Sequence, residues 1–218
     1  MNMGVLSRRV LSKISEIYDQ TECEHRLTIG RYHPNGIGGC MRQTYYKYLF
    51  PPKLNIRAKG RVVWSRIVES FVEEVLQGAG FKIEEKMEKK LDDGIVITGR
   101  PDAVGDGTVI EIKTVTPTAW RRVPRILHIY QLNTYMWLAN ADTGVLWYFK
   151  SDNPAFNQWF IYRYDPALQE RLLNWVRKLH QHLKQRQVPP ARITDMCRTC
   201  LFKKICARDR KRSASARR

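Results

Sequence analysis

Residues 108–114 read TVIEIKT, a short run of mostly β-branched side chains that carries one carboxylate and one ammonium. The β-branched residues predict a strand, in which side chains alternate between two faces. Glu111 and Lys113 therefore emerge on one face, and Ile110 and Ile112 emerge on the other. This pattern is typical of a half-exposed strand with a solvated polar face. The alternative interpretation is that the two charges form half of an active site.

Helical periodicity and turn residues place further elements around this strand. Helices are predicted for residues 3–18, 40–50, 60–76, 125–140 and 166–186, and strands for residues 81–88, 94–99, 144–150 and 158–164. Turns that contain glycine are expected to join the strands at 81–88, 94–99 and 108–114 into an antiparallel meander. This order of elements predicts an α/β fold in which a mixed sheet is flanked by helices.

The composition limits the class of protein. The chain has 218 residues, of which 43% are hydrophobic, enough for a real core and against a disordered chain. It contains no run of about 18 apolar residues and no secretory pattern, so we expect a soluble, cytoplasmic protein without a membrane partner. The formal net charge of +17 favours a polyanionic partner, with nucleic acid the leading interpretation.

An aspartate precedes the charged strand. Asp102 ends the segment GRPD, residues 99–102. If the strand at 94–99 pairs with TVIEIKT, Asp102 and Glu111 approach each other and can bind Mg²⁺ through oxygen atoms, with the backbone carbonyl of Ile112 as a further ligand. Lys113 would then hold or polarise the attacking water in phosphodiester hydrolysis. Taken alone, Asp102 is also typical of a turn.

These residues carry a resemblance to a known family. GRPD followed by EIK resembles the G-x-x-D and E-x-K elements of the PD-(D/E)XK nuclease superfamily, and YQLNTY is similar to the Q-x-x-x-Y motif of its RecB-like branch. The resemblance implies that Asp102 and Glu111 bind a divalent metal, Mg²⁺ or Mn²⁺, and that Lys113 assists the water. It also implies that Gln131 and Tyr135, four residues apart on one helix face, line the site near the DNA backbone.

One position departs from the family pattern. RecB-like nucleases commonly carry a histidine ligand four residues after a glycine on the helix before the meander, and GRVVW places Trp64 there. Because indole does not ligate metals, the departure bears on the identity of the metal more than on the reaction. Glu69, farther along the helix, is either a surface glutamate or a substitute ligand.

The cysteines predict a bound metal. Cys197, Cys200 and Cys206 follow the spacing C-x2-C-x5-C, and Cys40 is the candidate for a fourth ligand. In a chain without a secretory signal they do not predict disulfides. The spacing alone allows either zinc or an iron-sulfur cluster. Cys23 is left over and is interpreted as a free cysteine.

One cysteine before the nuclease motifs and three after them resemble the iron-sulfur subgroup of RecB-like nucleases. This subgroup includes the CRISPR-associated RecB-like exonucleases, the nuclease domain of the AddB helicase-nuclease and related phage exonucleases. The resemblance covers residues 30–206 and implies a structural [4Fe-4S] cluster held by Cys40, Cys197, Cys200 and Cys206. It implies a restriction-endonuclease-like fold whose cluster region joins the N- and C-terminal segments. The expected parts are a helical region at 1–58, a nuclease core at 59–190, a cysteine segment at 191–207 and a basic tail at 208–218.

A basic stretch between the charged strand and the next helix is the candidate DNA contact. Arg121, Arg122 and Arg125 can neutralise phosphates, and Trp120 can stack on an unpaired base or pack inward. No G-x-x-x-x-G-K-[ST] loop occurs, so the chain is not predicted to hydrolyse ATP.

The combined features predict a metal-dependent exonuclease that acts on DNA ends, single-stranded ends above all. CRISPR adaptation, viral DNA metabolism and recombination are the expected settings, with CRISPR integration proteins or a helicase as partners. One alternative is an adaptation or recombination factor whose nuclease is weak. The other is a non-catalytic nucleic-acid-binding protein stabilised by zinc.

Overall fold

The computed structural model describes residues 13, 16, 27–50, 56–91 and 93–215. Apart from residues 13 and 16, the helix predicted for 3–18 lies outside the described residues, as does Cys23. In chain order the described elements are β1 (Arg31–Tyr32), α1 (Met41–Leu49), α2 (Ile56–Gly78), β2 (Lys82–Ile83), β3 (Met87–Lys90), β4 (Val96–Gly99), β5 (Ala103–Gly105), β6 (Thr108–Val115), α3 (Pro117–Trp120), α4 (Ile126–Ala139), β7 (Thr143–Lys150), β8 (Asn153–Arg163), α5 (Pro166–Lys184) and α6 (Lys203–Ser215).

The strands form two sheets. Five strands hydrogen-bond in the order β2-β5-β6-β7-β8, in which β6 runs parallel to β7 and the other neighbours are antiparallel. The parallel pair is connected through α4, because parallel neighbours need a crossover of this kind. The other three strands hydrogen-bond in the order β1-β4-β3. The prediction of an α/β fold with a mixed sheet flanked by helices is confirmed.

The predicted antiparallel meander is only partly correct, because β3 and β4 pair antiparallel but β4 does not pair with β6. The strand from GIVITG is β4 and belongs to the smaller sheet, whereas β6 pairs with β5, in the register Ala103 to Ile110. Pro101 separates β4 from β5, because proline fixes φ and lacks the N–H that a continuous strand would use. The predicted strand at 81–88 is likewise divided, with Glu84 at a positive φ of 46° between β2 and β3.

A two-residue turn sets the register of β6. Asp106 and Gly107 connect β5 to β6 with φ values of 48° and 68°. Positive φ at both central positions is the geometry of the tight hairpin turn that asparagine, aspartate and glycine favour. The predicted VGDG turn is therefore present, and it joins β5 to β6.

Strand β6 is buried on both faces. On one face, Ile110 and Ile112 pack in a cluster with Val68 and Val72 of α2. On the other face, Val109 and Val115 belong to the larger core together with residues of α4 and α5, and Glu111 on that side is only 2% exposed. The interpretation of TVIEIKT as a half-exposed strand is therefore wrong, since helices cover both faces of the sheet centre.

Local signals fix the ends of the flanking helices. Helix α4 ends at Ala139 and is capped by Asn140, which takes a left-handed conformation. Helix α5 begins after Asp165, whose side chain accepts a hydrogen bond from the Leu168 N–H at 2.8 Å. Helix α6 crosses the expected boundary between 207 and 208, so most of the segment expected to be a tail is helical. Among the described residues no helix is both long enough and apolar enough to cross a membrane.

Candidate active site at strand β6

Glu111 lies in the interior between β6 and α4 and is held through one of its two carboxylate oxygens. Its Oε1 atom accepts a hydrogen bond from Gln131 Nε2 at 2.6 Å and a second from Lys113 Nζ. The Oε2 atom is buried and has no hydrogen-bond partner among the residues that the structure describes. A buried carboxylate oxygen without a donor is costly, which makes it a ready ligand for a cation.

Asp102 lies close to Glu111, although the expected pairing of the strand at 94–99 with TVIEIKT is absent. Its Oδ2 atom accepts a hydrogen bond from the Ile112 N–H, which fixes the carboxylate beside β6. Its carbonyl oxygen accepts a hydrogen bond from the Glu84 N–H at 3.2 Å. The predicted approach of Asp102 and Glu111 is thus present, and β5 positions the aspartate instead of β4.

Burial makes both carboxylates difficult to ionise. Burial, together with the nearby Asp102, raises the pKa of Glu111 to about 8. Burial also raises the pKa of Asp102, while Lys113 and the hydrogen bond from Ile112 work in the opposite direction. Without a cation Glu111 therefore keeps a proton at neutral pH, and a divalent cation would favour its ionised form.

Lys113 is the cation that the described side chains already supply to this site. Burial by itself would lower the pKa of Lys113, but the carboxylates of Glu111 and Asp102 outweigh it, so the pKa is raised. The residue is therefore an ammonium at neutral pH. It lies against Glu111, as the period-two pattern of the strand predicts.

Glu69 is a site residue that the sequence left undecided. It lies on α2 directly after the buried Val68, and burial followed by the nearby Asp102 raises its pKa to about 7. Trp64, at the position of the family histidine, donates its indole N–H to the carbonyl oxygen of Ser151 at 2.8 Å. Trp64 therefore contacts the turn between β7 and β8, whereas Glu69 adds a third carboxylate to the surroundings of Lys113.

Tyr135 completes the side of the site that α4 provides. Burial, followed by the nearby Glu111, raises the pKa of Tyr135, while a hydrogen bond with Gln131 opposes the increase. A Cβ atom added at Gly99 would come within 2.7 Å of Tyr135 Cε1. The glycine of GRPD is therefore needed for the close approach of the tyrosine ring, which places the two predicted motifs in contact.

The donor set fits a hard divalent cation. Carboxylate oxygens are the ligands that Mg²⁺ and Mn²⁺ prefer, and Oε2 of Glu111 has no competing donor. Within the ranges that the structure describes, no group of three or more histidine, cysteine, aspartate or glutamate side chains is already arranged as a metal site. The ligand roles of Asp102, Glu111 and the Ile112 carbonyl therefore remain predictions.

The four predicted cluster ligands meet in one cavity. Cys40, Cys197, Cys200 and Cys206 line a space of about 250 Å³ between α1 and the C-terminal segment. Burial raises the pKa of the Cys200 thiol, and the other three cysteines add to the increase. Thiols from two distant chain segments line this one cavity, but the described cysteines are not already arranged as a metal site, so the four-cysteine site remains a prediction.

Two side chains of α1 connect the cysteine cavity to the rest of the chain. Arg42 Nε donates to the Pro189 carbonyl oxygen at 2.6 Å, and Arg42 Nη1 donates to the carbonyl oxygen of Cys206 at 3.4 Å. The Tyr46 hydroxyl donates to Asp209 Oδ2 at 2.7 Å. These bonds join the N- and C-terminal segments, as the cluster region is expected to do.

The candidate DNA contacts divide into two kinds. The side chains of Arg121, Arg122 and Arg125 are exposed and follow α3. Trp120 is half-buried and packs against the larger core. The arginines are thus available to phosphates, and the tryptophan takes the inward position that competes with base stacking.

Comparison with known proteins agrees with this geometry. The family model described as the PD-(D/E)XK nuclease superfamily matches residues 37–207. A CRISPR-associated exonuclease Cas4 of Saccharolobus solfataricus is 33% identical over 115 residues, which are 50% of this chain and 52% of that protein. The chain thus matches about half the length of this relative.

Two solved structures share the fold. The protein SSO0001 superposes with a TM-score of 0.65 at 24% identity, over 92% of this chain and 95% of that one. LHK-Exo, an exonuclease from Laribacter hongkongensis solved in complex with dAMP, gives a TM-score of 0.54 at 16% identity, over 73% of this chain and 90% of that one.

Proposed function

The chain belongs to the PD-(D/E)XK nuclease superfamily, and on that premise we propose that it is a metal-dependent deoxyribonuclease that hydrolyses phosphodiester bonds at DNA ends. The observation that carries the proposal is the carboxylate of Glu111, which is buried, is held through Oε1 and has an unpartnered Oε2 atom. Such a group is unfavourable in a merely structural site and useful beside a cation.

Each residue of the site has a separate task in this reaction. Asp102, Glu111 and the carbonyl of Ile112 hold Mg²⁺ or Mn²⁺. The cation supplies Lewis acidity toward the phosphate and lowers the pKa of bound water. Lys113 orients the attacking water and stabilises negative charge on the phosphate, and Gln131 keeps the carboxylate of Glu111 in position.

The surroundings of the site support DNA as the substrate. The exposed Arg121, Arg122 and Arg125 can bind phosphates, and the net charge of +17 favours a polyanion. Action at DNA ends agrees with the exonuclease name of the similar Cas4 protein, and single-stranded ends are the substrate that we propose. The setting we propose is cytoplasmic, in CRISPR adaptation, viral DNA metabolism or recombination, with CRISPR integration proteins or a helicase as partners.

The cysteine cavity is assigned a structural role. Cys40, Cys197, Cys200 and Cys206 would hold a [4Fe-4S] cluster that fastens α1 to the C-terminal segment. The cavity contains none of the residues proposed for hydrolysis, so the cluster is not expected to take part in it.

Digestion of end-labelled DNA tests the activity and its polarity together. Single- and double-stranded oligonucleotides labelled at the 5′ or the 3′ end are incubated with Mg²⁺, with Mn²⁺ or with a chelator. We expect labelled single strands to be degraded from an end only when a divalent metal is present. Lys113→Ala should lower the rate roughly 100-fold or more, while Lys82→Ala, on the exposed surface, should leave it unchanged. Equal cleavage by wild type and Lys113→Ala would contradict the assigned site.

A further inference from the structure

His128 lies on the same stripe of α4 as the two site residues of that helix. His128, Gln131 and Tyr135 are spaced three and four residues apart, so their side chains follow one another on one helix face. Because β6 and β7 are parallel and α4 connects them, the helix runs back along β6. Gln131 contacts Glu111, so residues nearer the start of α4 lie opposite later residues of β6, among them Lys113. Lys113 is near enough to His128 to influence its pKa.

Tyr148 holds the imidazole of His128 in place. Tyr148 lies opposite Lys113 in the register of β6 and β7, and its side chain is completely buried. Its hydroxyl oxygen is 2.7 Å from Nδ1 of His128 and accepts a hydrogen bond from the Arg125 N–H at 3.1 Å. The two rings stack with centroids 5.6 Å apart. The imidazole is therefore fixed in both position and ring plane.

These contacts determine which ring nitrogen carries the proton. The Arg125 N–H is a donor, so it cannot accept the proton of the Tyr148 hydroxyl. Within the described part of the chain, the acceptor that this hydroxyl has is Nδ1 of His128. The hydroxyl therefore donates to Nδ1, and the ring proton of the neutral imidazole lies on Nε2.

The second ring nitrogen of His128, Nε2, is a donor without a partner among the described residues. Among the described residues Nε2 of His128 has no hydrogen-bond partner, and it is not one of the buried unpartnered atoms. It is therefore open to solvent or to a ligand. Burial, Lys113 and Arg125 lower the pKa of His128 to about 3, so the ring stays neutral and keeps its Nε2–H at physiological pH.

We propose that His128 is a further substrate-binding residue of this site, whose Nε2–H donates a hydrogen bond to a nonbridging phosphate oxygen of the DNA strand beside Lys113. The inference rests on the proposed nuclease function and adds a contact that no sequence motif indicated. A neutral N–H donor at this position binds the phosphate without competing with the cation for the carboxylates. It also carries no charge that would pair with Glu111.

The experiment uses DNA in which one phosphate at a time is a methylphosphonate, so that a charged oxygen is replaced by a methyl group. Single-turnover cleavage of the labelled strand is measured with wild type and with His128→Ala. A hydrogen bond to a charged oxygen corresponds to a rate loss of roughly 10-fold to 100-fold in His128→Ala. We also expect one methylphosphonate position that slows wild type but gives little additional loss in His128→Ala.

Three further variants separate this contact from a structural role. His128→Gln keeps an N–H donor and should recover part of the lost rate. Tyr148→Phe removes the hydroxyl that anchors the ring and should lower the rate by less than His128→Ala. His182→Ala removes a half-buried imidazole of α5 that contacts the Gln187 carbonyl oxygen, outside the proposed site, and should leave the cleavage rate unchanged. Thermal melting of each variant without DNA shows whether it is folded.

The outcomes distinguish this inference from the proposed function. The phosphate contact is wrong, and the proposed nuclease function is supported, if three results are found together. Wild type cleaves, Lys113→Ala does not cleave, and a folded His128→Ala cleaves like wild type with every methylphosphonate substrate. If wild type does not cleave with any divalent metal, both are wrong. A lower cleavage rate in His128→Ala would also contradict the contact if no methylphosphonate position slowed the wild type. In that case no phosphate oxygen would be involved.

Discussion

Gln131 donates a hydrogen bond to Oε1 of Glu111 across 2.6 Å, and Lys113 donates to the same oxygen atom. Both donors therefore approach one side of the carboxylate and leave Oε2 without a partner. The arrangement explains why a glutamate is tolerated in a strand that is buried on both faces. One oxygen is stabilised by the protein, and the other is available to a cation.

The first prediction concerns Gln131. Gln131→Ala removes the donor that orients Glu111, and substitution of a residue that positions a metal ligand typically costs roughly 10-fold to 100-fold in metal affinity or activity. We expect the half-saturating Mg²⁺ concentration for cleavage to rise by a factor in this range. Gln158→Ala, on the exposed face of β8, is the matched control and should leave the Mg²⁺ titration unchanged. An unaltered titration in Gln131→Ala would show that the hydrogen bond does not position a ligand.

The second prediction follows from the pKa of Glu111. That pKa is raised from 4.5 to about 8 in the folded protein, so ionisation is unfavourable in the metal-free state. The contribution of this group to stability is complete below about pH 4.5 and is lost as the pH rises toward 8. A divalent cation needs the ionised form, so its binding must release a proton below pH 8.

Titration calorimetry with Mn²⁺ measures this proton release. Repeated in buffers of different ionisation enthalpy, it should give about one proton released per metal bound near pH 7 and progressively less above pH 8. The metal affinity should increase by up to about tenfold per pH unit below pH 8. Metal binding without proton release at pH 7 would contradict the assignment of Glu111 as a ligand.

The sequence predicted the faces of β6 but not its neighbours. A period of two is a local property, and it placed Glu111 and Lys113 together correctly. Burial of that face depends on α4, which begins eleven positions after the end of β6 and covers it through long-range packing. The pairing of β6 with β5 depends on Pro101, which interrupts the chain between β4 and β5. Because of this interruption, β4 belongs to the smaller sheet and β5 belongs to the larger one.

The sequence also could not decide whether Glu69 is a surface glutamate or a residue of the active site. A glutamate one position after an inward-facing valine is ordinary on an amphipathic helix. The flank of α2 on which it lies becomes part of the site only because Asp102 and Lys113 approach from strands that the helix does not adjoin in sequence. His128 was missed for the same reason, since its anchor on Tyr148 is twenty residues away.

The third prediction tests Glu69 as part of the site. Glu69→Gln removes a partly buried carboxylate near Asp102 and Lys113, and we expect the affinity for divalent metal to fall roughly fivefold. Glu74→Gln, on the exposed face of the same helix, is the matched control. Both variants are compared by the Mn²⁺ concentration that gives half-maximal cleavage. Equal values in the two variants would show that Glu69 is an ordinary surface glutamate and not part of the site.

The fourth prediction concerns the cysteine cavity. Protein isolated without air should contain about four iron and four sulfide per chain, and Cys40→Ser should lose them because the fourth thiolate is absent. The bonds of Arg42 and Tyr46 join the same two segments and should remain in the variant. We expect the melting temperature of Cys40→Ser to fall by at least about 2–4 °C, which corresponds to about 1 kcal/mol in a chain of this size.

Cys23→Ser is the control for the cluster, because Cys23 is the cysteine that the four-ligand interpretation leaves over. It should keep the iron, the sulfide and the melting temperature of wild type. Loss of iron in Cys23→Ser with retention in Cys40→Ser would exchange the two residues as ligands. A colourless protein that contains zinc and no iron would instead identify the cavity as a zinc site, since four thiolates suit either metal. Metal-dependent cleavage at the Glu111 site would still be expected of a protein with zinc in the cavity, because the cavity and the Glu111 site do not share residues.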